Sequence, residues 1–289
     1  MMFIRRLPSF EYVAPKSLWE ASSVLAQHKA EASLMAGGTD ILPKMKKREL
    51  VPKYLVSLKN VPGLAYIKQE RGALMIGPMT TIHDVETSAV IAEKYPILRE
   101  TSHVFASAQI RNLATVAGNL CSAAPSADMA PPLIALGASV NFSGPWGGKT
   151  IPLEKFFTGP FTNCLGDGEL VVEIQVPRSQ PHTGGVYIKH TIRNAMDHAL
   201  VGVAVVLTLD GSDTCKDVRI ALGACAPTPV RAIEAEKALK GNKLTKAAID
   251  KAAKAAVAAA QPRSDPEYKR EMVQVLTARA LNQAWQLAR

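Results

Sequence analysis

The order of apolar and polar positions divides the first part of the chain into short strand-like and helix-like segments. Apolar runs bounded by turn residues predict a short buried strand in "EASLMAGG" and further strands in "KYLVSLKN" and "ALMIGPMTT". Helical spacing predicts one helix in each of "KSLWEASSVLAQH", "TIHDVETSAVIAEKYP" and "PILRETSHVFASAQIRN". Ser17 and Glu20 form a capping-box sequence at the start of the first of these helices. This alternation of strands and helices predicts an α/β or α+β domain.

The pattern changes near residue 180. Three strands separated by polar turns are predicted in "GVYIKHTIR", "ALVGVAVVLTLD" and "CKDVRIALGACAP". Two helices should follow, in "TKAAIDKAAKAAVAAAQ" and "DPEYKREMVQVLTARALNQAW", the second with Asp265 as its cap and Pro266 at its first position. A three-stranded antiparallel sheet backed by helices is an α+β module. We therefore expect two domains, residues 1–178 and 179–289.

The composition is that of a globular protein with substantial cores. Hydrophobic residues make up 47% of the 289 residues, and no stretch approaches the roughly 18 consecutive apolar residues of a membrane span. The first residues, "MMFIRRLPSFEYVAPKS", contain prolines and an acid where a signal peptide needs an apolar core. We expect a soluble cytoplasmic protein.

The cysteines and histidines give no sign of metal or hydrolytic chemistry. The four cysteines are scattered and form no C-x-x-C pattern, so we expect buried, unreactive thiols and no metal or iron–sulfur site in this chain. They are Cys121, Cys164, Cys215 and Cys225. The six histidines form no H-E-x-x-H motif, and G-x-S-x-G is absent.

The net charge of +9 is compatible with nucleic acid, an acidic partner surface or a phosphorylated ligand. The lysines between residues 237 and 254 stand among alanines at helical spacing, which indicates a solvated helix face. The sequence contains no helix-turn-helix pattern and no aromatic stretch typical of RNA-binding sheets. Nucleic-acid binding is therefore not expected.

The segment "MAGGTD" is the first candidate site. Gly37 and Gly38 follow a strand-like run, and Thr39 and Asp40 come next. A Gly-Gly pair usually marks a tight turn. It also leaves room for backbone N–H groups to approach a phosphate group, and the Thr39 hydroxyl adds a donor. Both interpretations remain open for this segment alone.

A second segment, "QIRNLATVAGNLCSAAPSAD", has the same character. It combines the hydroxyl of Thr115, the small residues Ala117 and Gly118, and the amide of Asn119. Two such turns in one domain are suited to gripping a dinucleotide from both sides. Asp128 would then accept hydrogen bonds from sugar hydroxyls, or alternatively cap the helix predicted in "MAPPLIALG".

Two other segments have simpler explanations. "GPWGGKT" resembles a P-loop, but Ser143 stands where the Walker spacing needs a glycine, and we expect a hairpin turn instead. The nicotinamide fingerprint G-x-G-x-x-G is absent. Lys189, on a predicted strand, either contacts a bound ligand or forms an exposed pair with Asp197.

Four motifs together resemble one family. They are "AGGTDILPKMK", "IRNLATVAGNLCSAAPSADMAPPLIALGA", "KHTIRNAMDHALVGVAV" and "ALGACAPTPVRAIEAEKAL". Their order and length resemble the FAD-binding medium subunits of the molybdenum hydroxylases, the family of xanthine dehydrogenase and aerobic carbon monoxide dehydrogenase. The resemblance implies an α+β chain: an FAD-binding domain of the vanillyl-alcohol-oxidase/p-cresol methylhydroxylase type, with two α/β subdomains, and then the C-terminal domain of the family.

The resemblance also implies which residues bind FAD. "MAGGTD" and "ATVAGN" are similar to the two diphosphate loops of the family, Asp128 to its ribityl or ribose contact, and Phe105, Val171 and Lys189 to positions around the flavin ring. The full set is Met35, Ala36, Gly37, Gly38, Thr39, Asp40, Ile41, Phe105, Ala114, Thr115, Ala117, Gly118, Asn119, Ser122, Asp128, Val171 and Lys189. Ala117 stands where many relatives have glycine. The chain has no inserted cysteine-rich loop for an extra cluster.

By the same resemblance, the function is electron transfer, and no residue of this chain acts as an acid or base. A large subunit with a molybdopterin cofactor oxidises the substrate, and a small subunit with two [2Fe–2S] clusters passes the electrons to FAD here. An external acceptor, such as NAD, a quinone, ferredoxin or oxygen, then takes them. The family architecture is most often a dimer of heterotrimers. The alternatives are a self-sufficient FAD-dependent oxidase or dehydrogenase and a non-enzymatic nucleotide- or nucleic-acid-binding module.

Overall fold

The computed structural model describes residues 6–193 and 195–289, so residues 1–5 of the first expected domain and Asn194 of the third motif lie outside it. The chain begins with a small parallel sheet and its helices. Its elements are β1 (Glu11–Val13), α1 (Leu18–His28), β2 (Ala32–Met35), α2 (Ile41–Lys47) and β3 (Tyr54–Ser57). β3 lies between β1 and β2. Ser17 caps α1 as predicted, by accepting a hydrogen bond from the backbone N–H of Glu20. The Glu20 carboxylate accepts from the N–H of Lys16 and not from that of Ser17, so the reciprocal bond of a capping box is absent.

A five-stranded antiparallel sheet and six short helices form the next part. The elements are β4 (Ile67–Glu70), β5 (Ala73–Ile76), α3 (Ile82–Thr87), α4 (Ala89–Lys94), α5 (Pro96–His103), α6 (Ala108–Arg111), α7 (Val116–Cys121), α8 (Ala130–Ala135), β6 (Ser139–Gly144), β7 (Gly147–Pro152), β8 (Phe157–Gly159), β9 (Thr162–Asn163) and β10 (Leu170–Val176). The strand order of the sheet is β4-β5-β10-β6-β7, and β8 pairs with β9 in a separate two-stranded sheet. "GPWGGKT" forms the predicted hairpin turn, with Gly144 paired to Gly147.

Two segments that were each predicted to form one helix form two. The first breaks at Ser88, whose backbone is extended and whose side chain accepts from the N–H of Ile91. The second breaks after α5, where Ala106 has a φ of 41° and Ser107 caps α6. In both cases a serine hydroxyl satisfies a backbone donor and so allows a new helix to begin, which the apolar spacing does not reveal.

The C-terminal part contains the predicted antiparallel strands and helices, with two additions. Its elements are β11 (Thr183–His190), β12 (Val201–Leu209), β13 (Cys215–Gly223), β14 (Val230–Arg231), α9 (Ile233–Leu239), α10 (Lys246–Ala256) and α11 (Pro266–Ala288). The short strand β14 extends the three predicted strands to four, and α9 is additional. Asp265 occupies the cap position of α11 but makes no capping hydrogen bond with its side chain. The α+β class is confirmed.

The C-terminal sheet packs directly on the part that precedes it. Ala204 of β12 and Ala221 of β13 belong to the same hydrophobic core as the buried apolar residues of α3, α4, α5, α7 and α8. The backbone N–H of Ala224 donates to the carbonyl of Pro125 at 2.7 Å. This packing places the segment before α8 beside β11, and the candidate site lies there. Within the described residues, no helix is both long enough and apolar enough to cross a membrane.

Candidate functional site

The first glycine loop follows the edge strand of the parallel sheet. β2 ends at Met35, and α2 begins at Ile41, so Ala36 to Asp40 form the connection. Gly38 has a φ of 79°, in the left-handed region that glycine adopts without strain. Asp40 is exposed and makes no capping hydrogen bond with α2. The loop therefore presents a glycine-rich backbone at the carboxyl end of a parallel strand, the usual position of ligand sites in such sheets.

The second loop leads into α7 and is held to the turn before α3. The carbonyl of Ala114 accepts from Ile82 at 2.9 Å, and the N–H of Val116 donates to Thr80 at 3.1 Å. The Thr115 hydroxyl caps α7 by accepting from the N–H of Gly118 at 3.0 Å. Its own hydrogen remains a possible donor to a ligand.

The rest of the second loop is held in the same way. The Asn119 side chain accepts from the N–H of Met129 at 3.1 Å, and the Ser122 hydroxyl donates to the Asn119 carbonyl at 2.8 Å. Ala114, Thr115 and Ala117 are buried. The loop is thus a fixed, close-packed surface made of small residues.

The two loops touch each other. An added Cβ at Gly37 would lie 1.9 Å from the carbonyl oxygen of Leu113 and 3.2 Å from Cα of Ala114. Because no side chain fits in that space, glycine is required at position 37 by the contact between the loops. The structure thus brings together the two segments that sequence reasoning assigns to one ligand.

A buried charge cluster lies on the C-terminal side of the site. The Asp128 carboxylate accepts from the Lys189 ammonium at 2.8 Å and from the Tyr187 hydroxyl at 3.0 Å. Lys189 also donates to the carbonyl of Val104 at 3.3 Å. The side chains of Lys189 and Asp128 are only 6% and 10% exposed.

Protonation of this cluster is set by burial and pairing. Burial raises the pKa of the Asp128 carboxyl, and the Lys189 ammonium and the Tyr187 hydroxyl oppose that rise. Burial also raises the pKa of Tyr187 well above its usual range, so this phenol stays a neutral donor. Each carboxylate oxygen of Asp128 accepts one hydrogen bond, Oδ1 from Tyr187 and Oδ2 from Lys189. Each oxygen therefore retains a lone pair that can accept from a ligand hydroxyl.

Two alternatives for this cluster are wrong. Asp128 does not cap α8, because Met129 occupies the cap position and no side chain bonds there. Lys189 does not pair with Asp197, which bonds Arg193 instead at 3.2 Å and has its pKa lowered to about 2 by that partner. The charges of Asp128 and Lys189 instead pair with each other.

The two predicted apolar contacts, Phe105 and Val171, are 8% and 4% exposed and belong to the same core as Ala114 and Ala117. Sequence reasoning missed Tyr187, although its position two residues before Lys189 on a strand puts both side chains on one face. It also missed Arg111, whose guanidinium donates to the carbonyl of Phe105 at 3.1 Å.

The cysteines take no part in this arrangement. Burial raises the pKa of Cys121, Cys215 and Cys225 to about 12, so these thiols stay protonated and unreactive. Cys215 and Cys225 are buried as expected, whereas Cys121 and Cys164 are partly exposed as whole residues. The pKa of Cys121 is raised all the same, because neighbouring atoms surround its sulfur. Over residues 6–193 and 195–289, no group of three or more His, Cys, Asp or Glu side chains is arranged to hold a metal ion.

Comparison with known proteins decides the family. The model of the FAD binding domain in molybdopterin dehydrogenase matches residues 8–179. The chain belongs to the FAD-binding subunits of the molybdenum hydroxylases. A second model, the CO dehydrogenase flavoprotein C-terminal domain, matches residues 187–284 of this flavoprotein.

Relatives from this family match the flavoprotein over nearly its whole length. The carbon monoxide dehydrogenase medium chain of Hydrogenophaga pseudoflava is 38% identical over 282 residues, 96% of this chain and 98% of that one. The xanthine dehydrogenase FAD-binding subunit of Escherichia coli O157:H7 is 30% identical over 279 residues, 94% of this chain and 95% of that one. A solved structure of the H. pseudoflava enzyme lacking the Mo-pyranopterin moiety superposes with a TM-score of 0.94 at 38% identity, over 97% of this chain and 99% of that one. The chain is therefore an oxidoreductase subunit with an FAD-binding domain.

Proposed function

We propose that this flavoprotein is the electron-transfer subunit of a molybdenum hydroxylase and passes electrons from the [2Fe–2S] clusters of a small subunit to an external acceptor. The observation that carries the proposal is the contact between Gly37 and the Leu113–Ala114 backbone, which makes two glycine-bearing loops into one continuous surface. A dinucleotide needs such a surface, because its diphosphate must meet backbone N–H groups without intervening side chains.

The two loops are assigned to the FAD diphosphate. The first contributes Met35, Ala36, Gly37, Gly38, Thr39, Asp40 and Ile41, and the second contributes Ala114, Thr115, Ala117, Gly118, Asn119 and Ser122. Gly118 and Asn119 of the second loop are partly exposed, so a ligand can approach the backbone there. Ala117 narrows this approach slightly compared with a glycine.

The remaining assigned residues surround the sugar and the ring. Asp128 accepts from ribityl or ribose hydroxyls, and its buried position makes such bonds stronger than they would be in water. Phe105 and Val171 supply apolar contacts to the flavin ring, and Lys189 supplies a positive charge near it. No side chain of this chain acts as an acid or base towards the substrate.

FAD suits this position because it exchanges single electrons with iron–sulfur clusters and electron pairs with an acceptor. The proposed partners are a small subunit with two [2Fe–2S] clusters and a large subunit with the molybdopterin cofactor. Two relatives, a carbon monoxide dehydrogenase medium chain and a xanthine dehydrogenase FAD-binding subunit, support this distribution of the cofactors over separate subunits. We place the assembly, a dimer of heterotrimers, in the cytoplasm, which agrees with the four free cysteines.

We also propose that the FAD-binding domain comprises residues 1–178 and the C-terminal domain residues 179–289. The boundary falls in the connection between Val176, at the end of β10, and Thr183, at the start of β11. Although the two parts share a core, no sheet contains strands from both of them, and the charge cluster of Asp128 and Lys189 joins them.

Ligand titration tests the cofactor assignment. The purified chain should bind FAD non-covalently and release it on acid precipitation. FMN has a single phosphate group and lacks the diphosphate that the loops are assigned to hold, so it should bind far more weakly. Equal affinity for FAD and FMN, or flavin that stays with the precipitated chain, would contradict the assignment. Affinity for double-stranded DNA in place of FAD would support the nucleic-acid alternative.

A further inference from the structure

We propose that Arg111, held by Glu86, is a positioning residue that fixes the backbone of residues 103–105 and thereby the orientation of Phe105 beside the flavin. The proposal deepens the proposed function and rests on it, because the contact between Phe105 and FAD belongs to that function. The positioning role of Arg111 and the binding of FAD can be tested separately.

Three successive carbonyl groups bond to two cationic side chains. Arg111 donates from Nη1 to the carbonyls of His103 and Phe105, at 3.3 and 3.1 Å. Lys189 donates to the carbonyl of Val104, between them, at 3.3 Å. Hydrogen bonds with a charged donor are roughly twice as strong as neutral ones. This short segment is therefore held from two directions.

The segment needs such support because the regular helix ends within it. α5 ends at His103, and α6 begins at Ala108. Between them Ala106 has a φ of 41°, a conformation that costs a non-glycine residue energy and persists only where the surroundings enforce it. The Arg111 guanidinium, on α6, helps to hold this conformation by bonding to the carbonyls of His103 and Phe105.

Glu86 holds the guanidinium in place. Arg111 donates from Nε to the Glu86 carboxylate at 2.8 Å, and the two side chains are only 15% and 17% exposed. Burial alone would raise the pKa of Glu86, but hydrogen bonds from His103 and Arg111 hold it below its ordinary value. Glu86 lies on α3 and Arg111 on α6, so the pair also joins two helices.

Only an arginine can make this set of bonds. Its planar group donates through Nε to the carboxylate while Nη1 reaches the carbonyls, whereas lysine has a single nitrogen at the end of a flexible stem. Phe105 is 8% exposed in the core, so its ring follows the backbone to which Arg111 is bonded. Loss of the guanidinium should therefore change the flavin environment through Phe105.

A double-mutant cycle on the full-length chain tests the proposal. Arg111→Met should weaken FAD binding by up to about tenfold, because the lost hydrogen bonds hold the Phe105 backbone and not FAD itself, and it should shift the visible flavin spectrum and the flavin midpoint potential. Phe105→Ala should shift the same spectrum. If Arg111 acts through Phe105, the Arg111→Met change in the Phe105→Ala background should have less than about twofold further effect. Arg111→Lys should restore only part of the wild-type spectrum.

Arg99→Met is the matched control, since Arg99 lines the same cavity of about 660 Å³ as Arg111 and Glu86. This variant should leave FAD affinity and the flavin spectrum unchanged. Independent, additive effects of Arg111→Met and Phe105→Ala would overturn the positioning role while leaving FAD binding in place. Failure of the wild-type chain to bind FAD would instead overturn the proposed function. Thermal unfolding of each variant identifies any general loss of fold.

Discussion

Gly37→Ala is the substitution most sharply defined by the structure. The new Cβ would lie 1.9 Å from the Leu113 carbonyl oxygen, whereas real Cβ contacts almost never fall below 3.0 Å. The two loops must therefore separate by about 1 Å or more. Overpacking of this kind costs about 1–3 kcal/mol. Without FAD the loops can relax apart, but the bound ligand requires them together, so most of this cost should appear as weaker binding, roughly 5- to 150-fold.

Fluorescence titration of the apoprotein with FAD measures the loss of FAD affinity. Calorimetry without ligand measures how far the substitution lowers the stability of the apoprotein. Gly148→Ala is the control, because a Cβ there would be no closer than 3.4 Å to any neighbour. Its FAD affinity should equal that of the wild type. A Gly37→Ala variant that binds FAD as tightly as the wild type would show that the loops do not close together around the ligand.

Three further substitutions test other parts of the structure. Asp128→Asn should weaken FAD binding by roughly 10- to 150-fold through loss of charge-assisted hydrogen bonds, as measured by titration; unchanged affinity would contradict the assignment of Asp128. Lys189→Met should raise the pKa of Asp128 further above its ordinary 3.8, because the buried carboxylate loses its cation. The folded state then holds that proton more tightly than the unfolded state, so the variant should lose stability relative to the wild type as pH rises above the ordinary pKa of this carboxyl. Urea unfolding measures this difference, and a pH-independent difference would refute it. Thr277→Val should stabilise the chain by about 1 kcal/mol, since the Thr277 hydroxyl is buried with no partner among the described residues. An unchanged or lower melting temperature would contradict that account.

Local patterns were sufficient to predict most of the elements. The strands before Gly37 and around Lys189 follow from apolar runs and alternation, and they are where the sequence places them. These strands depend only on neighbours in the sequence, and for that reason they could be predicted. The glycine, alanine and threonine content of the two loops indicates that the backbone approaches a ligand there, and this stays a prediction.

Long-range contacts could not be predicted in this way. Sequence reasoning explained the glycines of the first loop by a tight turn or by space for phosphate, whereas the structure shows that the Leu113 carbonyl already requires Gly37. The partner of Asp128 is Lys189, 61 positions away, and the pairing depends on how the C-terminal sheet packs. The break at Ser88 arises because its hydroxyl competes for a backbone donor, which apolar spacing does not report.

Electron transfer between subunits tests the central claim most directly. The small iron–sulfur subunit would be reduced chemically, freed of excess reductant and mixed without oxygen with the FAD-loaded chain, while the visible flavin absorbance is followed in a stopped-flow instrument. We expect the visible flavin absorbance to fall rapidly and to return when an external acceptor is added. A complex that forms without flavin bleaching would contradict the account, and so would reduction of the FAD by an organic substrate with this chain alone.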